Sequence, residues 1–89
     1  MSEIGRYPRL GSLADRVALQ KDAASPAFAT VWSSVRKLQT GWSVTLRFRT
    51  DVQPGAVVIY RGKWMRVVTV TDINGRGAYI ALICEESPQ

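Results

Sequence analysis

Histidine is absent from the 89 residues, and cysteine occurs once. The first absence removes the commonest general base and the commonest metal ligand. The second leaves zinc without its usual set of about four N or S ligands, and it leaves no internal disulfide to form. No apolar run approaches the ~20 residues of a membrane helix, and the opening MSEIGRYPRL has no apolar signal core. A reducing cytoplasm, with no membrane partner, is the expected setting. Acidic residues are scarce as well: seven Asp and Glu stand against twelve Lys and Arg, for a net charge of +5. Such a basic surface favours contact with nucleic acid or with an acidic protein, though a merely solvated basic face has the same composition.

The remaining candidates for chemistry are weak. Cys84 lies within an apolar run with no histidine to activate it, so a buried, unreactive thiol is expected. Asp51 and Asp72 fall at turn positions, where Asp ordinarily bonds to local backbone. Gly75-Arg76-Gly77 lacks both the phosphate-loop pattern and a following helix. No catalytic, cofactor-binding or metal-binding residue is therefore assigned, and an enzyme is not expected.

What is present is strand patterning. Apolar residues make up 46% of the chain, enough to drive a compact core. A domain of this length buries only about 60–65% of its unfolded surface, so an extra interface would add stability. Residues 1–89 read as one domain, with an irregular arm over 1–14 and a polar tail over 85–89. Residues 16–21 alternate, with Val17 and Leu19 on one side. Residues 28–35 follow, with Ala29, Val31, Ser33 and Val35 on one face and Trp32 on the other. Residues 43–49 put Val44, Leu46 and Phe48 inward.

Pro54-Gly55 predicts a type II corner. Arg61-Gly62 predicts a tight hairpin between strands over 56–60 and 63–71, and Asn74-Gly75 predicts another before a last strand over 78–84. Residues 67–70 and 79–83 are apolar on both faces, which predicts central strands or an outer face against another subunit. Six short strands with turn chemistry between them make an all-β chain, a small antiparallel barrel or sandwich.

Ordered pieces of this pattern carry a resemblance. Gly11, Leu13, Arg16-Val17 and Leu19-Gln20 open it, and Ala29-Thr-Val-Trp32-Ser-Ser34 continues it. Arg47, Arg49, Asp51 and Pro54-Gly55 make an Arg-x-Arg and corner. Tyr60 and Gly62 make the hairpin. Val68-Thr-Val70-Thr-Asp72 and Leu82-Ile-Cys84-Glu-Glu86 close the set. Over roughly residues 11–86 the chain resembles the head-tail joining (head-closure, or stopper) proteins of long-tailed phages and of phage-like particles such as gene transfer agents. Two connections, 22–27 and 36–42, are shorter than is common in that family, which implies a connector rather than a plug.

The resemblance implies a homo-oligomeric ring at the neck of a virion or virus-like particle assembled in the bacterial cytoplasm. Its implied partners are a portal-proximal adaptor, a tail terminator or tail tube protein, and packaged DNA in non-specific contact. Basic Arg36, Lys37, Arg47 and Arg49 are the candidates for a DNA-lined lumen. Arg6, Tyr7, Arg9 and Leu10 of the arm, with Trp42 beside Gly41, are the candidate protein interface, since arms and loops on a rigid scaffold carry binding surfaces. The alternative is a free-standing OB- or SH3-like nucleic-acid binder. Tyr60, Trp64 and Tyr79, near Arg61, Lys63, Arg66 and Arg76, would then stack bases, unless those rings fill or rim the barrel.

Overall fold

Strand alternation becomes a single closed sheet. The computed structural model describes residues 13–86. Its strands are β1 (Asp15–Gln20), β2 (Ala27–Lys37), β3 (Trp42–Arg47), β4 (Val57–Tyr60), β5 (Lys63–Asp72) and β6 (Tyr79–Glu86). They are ordered β1-β2-β3-β6-β5-β4, and every neighbouring pair is antiparallel. The short β1–β4 pairing, Ala18 to Ile59 through Gln20 to Val57, closes the barrel. Closure removes the free edges through which an open sheet would pair with other chains.

The inward residues form one core. Val17 and Leu19 of β1, Val44 and Leu46 of β3, Val58 of β4, Met65 and Val67 of β5, and Ile80, Leu82 and Cys84 of β6 are all buried. Ser33 supplies the small buried position on β2, where its hydroxyl donates to the Asp15 carbonyl at 3.3 Å. The Asp15 carboxylate fastens the seam: it accepts from the Val35 amide at 3.0 Å and lies 3.4 Å from the Tyr60 hydroxyl. Gln20 closes the first turn by donating to the carbonyls of Asp22 and Ser25.

The Pro54-Gly55 corner forms, with the Ala56 amide donating to the Gln53 carbonyl at 3.0 Å. In the β4–β5 hairpin both Arg61 and Gly62 have positive φ, the type I′ geometry that suits strand twist. Asn74-Gly75 does not make the tight hairpin its dipeptide predicts. A 3-10 turn over Ile73–Gly75 widens the connection, and Asp72 accepts from the Gly77 amide.

Three expectations are corrected. The register shifts between Val67 and Thr69, leaving Val68 as a bulge residue 45% exposed, so within the subunit residues 67–70 are not buried on both faces, which overturns the central-strand alternative alone. The bulge moves the inward set from Met65 and Val67 to Val70, since one added residue exchanges the faces of a strand. Phe48, one residue past the last β3–β6 pair at Arg47–Tyr79, is 42% exposed, although its amide still donates to the Ala78 carbonyl at 3.0 Å. Val52, in the connection, fills the core in its place. Glu85 and Glu86, read as tail, belong to β6 and pair with Arg66 and Met65.

Candidate functional site

At one mouth of the barrel, the start of β3 meets the ends of β4 and β6. Gly41 approaches β6 so closely that a Cβ there would collide with the Cys84 carbonyl oxygen. Trp42 follows it as the first residue of β3, not as part of a free loop. It is half-buried against the core, and its indole Nε1 donates to Glu86 Oε2 at 3.0 Å. The Tyr60 ring lies 6.4 Å away, and the Lys37 and Lys63 ammonium groups stand over the indole at 4.9 and 5.6 Å. The bond from Trp42, then the charge of Lys63, hold the Glu86 carboxyl below its ordinary range. These contacts give Trp42 a pinning role at the mouth. The other candidate interface residues, Arg6, Tyr7, Arg9 and Leu10, lie outside the described residues.

The four candidate lumen cations do not form one patch. Lys37 pairs with Trp42 and joins the mouth, whereas Arg36 pairs with Ser43 on the outer face. Arg47 shares that outer face, but four residues further along β3, roughly 13 Å away. Arg49 makes a two-point bond with Asp51, Nε to Oδ1 and Nη2 to Oδ2, both 2.8 Å, and stands 5.9 Å over the Phe28 ring. Each partner stabilises the other's charge: the Asp51 carboxyl is lowered and the Arg49 guanidinium raised, chiefly by this bond.

Tyr60, Trp64 and Tyr79 are likewise dispersed. Tyr60 packs against the core, with the Arg61 guanidinium 5.2 Å over its ring. Trp64 pairs with Ile59 on the outside of β4–β5, and Tyr79 pairs with Arg47 on the far side of the barrel. Cys84 is buried, and burial pushes its thiol up to about 12, as expected of an unreactive core thiol. Among the described residues no group of three or more Cys, Asp or Glu side chains converges as a metal site would require.

The residue that sequence reasoning passed over is Trp32. Alternation placed it opposite Val31 and Val35, and that outward position was the available signal. It is 52% exposed, and the Arg16 guanidinium lies 4.7 Å over its ring. Arg16 and Trp32 are cross-strand partners, and the Ser33–Leu46 register sets Arg47 beside Trp32 on the next strand. With Tyr79 opposite Arg47, the outer face carries an alternating row across β1, β2, β3 and β6: Arg16, Trp32, Arg47, Tyr79. Shallow grooves flank Trp32, one lined by Leu13, Ala14 and Arg47 and the other by Val31, Phe48 and Arg49. A further cleft, lined by Lys21, Pro26, Phe28, Gln53, Pro54 and Ala56, lies between the first turn and the β3–β4 connection.

No family model matches the chain, and no curated protein matches it.

Proposed function

We propose that the chain is a structural neck subunit, forming a ring that joins the portal-side adaptor of a DNA-filled capsid to the tail, with DNA passing through the lumen. The ordered motif set carries this reading. On the barrel its described pieces fall at defined places: Ala29–Ser34 on β2, Arg47 at the end of β3, Pro54-Gly55 at the corner, Tyr60 and Gly62 at the hairpin, and the last two on β5 and β6. Pieces that bear on successive turns and strands of one domain support a shared fold plan better than scattered matches would.

The mechanism is packing and symmetry. A closed barrel has no free edge, so neighbours associate through faces, loops and the arm. Head-to-tail contacts between unlike faces close into a ring when the rotation per subunit divides a full turn. The outward aromatic residues Phe28 and Phe48 are surface that such contacts would cover.

Imaging of purified particles carrying a tagged copy of the chain tests the reading. Density for the tag between portal and tail is expected. A tag on the capsid shell or along the tail tube, or particles that lack the chain, would overturn it. Tight nucleic-acid binding by the isolated subunit, lost on Trp64→Ala, would instead favour the free-standing binder.

A further inference from the structure

Among the described residues the Arg16–Trp32–Arg47 row is exposed surface, and its chemistry is specific. Trp, Tyr and Arg are the side chains that most often dominate binding energy at protein interfaces. None of the three ion pairs among the described residues involves Arg16 or Arg47. Two guanidinium groups therefore flank a half-exposed indole, and no carboxylate of the described residues forms an ion pair with them. Arg36, four residues further along β2 and apart from the row, is also exposed and outside those ion pairs. Charge complementarity asks for a partner that brings carboxylates around an apolar recess.

A second copy of the chain is poorly suited to that role. Every described carboxylate is already engaged within its own subunit. Asp51, Glu85 and Glu86 bond to Arg49, Arg66 and Lys63 respectively. Asp15, Asp22 and Asp72 accept from the amides of Val35, Ala24 and Gly77. Recruiting any of these to Arg16 or Arg47 would put the new contact in competition with a bond already made. Duplex DNA supplies negative charge but no apolar recess for an indole edge, and its phosphates gain nothing from Trp32.

We propose that the outer face centred on Trp32 docks an acidic, apolar segment of a different protein, with the indole seated in the recess and Arg16 and Arg47 paired to carboxylates beside it. The inference deepens the neck reading by naming the joint surface as this face, in place of the Trp42 mouth. Its observations are the chain's own and stand without that reading.

Amide and indole NMR of the full 89-residue chain tests it, with three probes. They are a synthetic peptide alternating Glu and Asp with Leu and Phe, the same peptide with Gln and Asn in place of the acids, and a 12-base-pair DNA duplex. The acidic peptide is expected to shift Arg16, Trp32, Arg47 and the Trp32 indole N–H. Its neutral counterpart is expected to bind several-fold more weakly, and salt should weaken the acidic peptide alone. Trp32→Ala should cost roughly 30-fold in affinity, the scale of an interface anchor. Arg47→Gln should cost several-fold, and its unchanged dispersed spectrum separates a lost contact from a lost fold.

Shifts scattered away from the row, equal affinity in Trp32→Ala, or tighter binding of the duplex than of the acidic peptide at this face would each overturn the proposal. Because the probes are defined molecules, a negative result here leaves the location of the chain in particles unaffected. A misplaced tag in particles would leave this binding result standing.

Discussion

Gly41 and Gly55 form a matched pair that isolates what a close backbone approach contributes to this barrel. Both have strongly positive φ, +94 and +97, so an L side chain strains each to a similar degree. They differ in surroundings. A Cβ at Gly55 meets nothing within 4 Å, whereas one at Gly41 collides with the Cys84 carbonyl oxygen, a backbone atom of β6. For Gly55→Ala the left-handed strain alone operates, about 1–2 kcal/mol. For Gly41→Ala the same strain is joined by displacement of the first β3–β6 pair, Trp42 with Cys84. Losing or stretching a ladder bond there adds about 0.5–1.5 kcal/mol, and loosening Trp42 from the core adds more. A total of about 2–4 kcal/mol is expected, a large part of the ~5–15 kcal/mol that holds a small domain. At ~4–8 °C per kcal/mol for a domain of this size, Gly41→Ala should melt at least ~4 °C below Gly55→Ala. Thermal unfolding followed by far-UV circular dichroism measures both, and urea unfolding with equal m values shows that stability changed without a change in the surface exposed on unfolding, the unfolded-chain effect of Gly→Ala being common to the two variants. Equal melting temperatures for the two variants would refute the close-approach argument.

Ile80→Asp should abolish cooperative unfolding, because it places an unpaired charge in the core, while Val68→Asp at the exposed bulge should shift the midpoint by less than about 1 kcal/mol, both read by urea titration. Cys84 should resist thiol reagents in the native state and react at a rate set by barrel opening, so labelling should accelerate in step with added urea. Its thiol is raised in the folded state, so its contribution to stability is complete below pH 9.0 and is lost as pH rises from there toward about 12.

Alternation is a local property of the chain, and it was enough to read the all-β class, the inward sets of β1 and β3 through Leu46, the outward position of Trp32 and the corner at Pro54-Gly55. Each depends on side chains a few residues apart and on the φ that Gly or Pro permits. Tertiary structure decided the remainder. Whether Val68 is core or surface depends on which β6 residue lies opposite it, and a bulge cannot be counted from one strand. Phe48 continues the inward period of its strand, but the ladder ends one residue earlier and Val52 returns to the core from the connection. Trp42 sits beside a glycine in sequence, yet Glu86, forty-four residues away, gives it its partner, and the barrel's closure brings them together. The four basic residues suggested for one lumen are distributed by the same closure: Lys37 to the mouth, Arg36 and Arg47 to the outer face, and Arg49 to Asp51. The row around Trp32 needed three separate registers to assemble. Periodicity says which side of a strand a residue occupies, and only pairing across strands says what it stands beside.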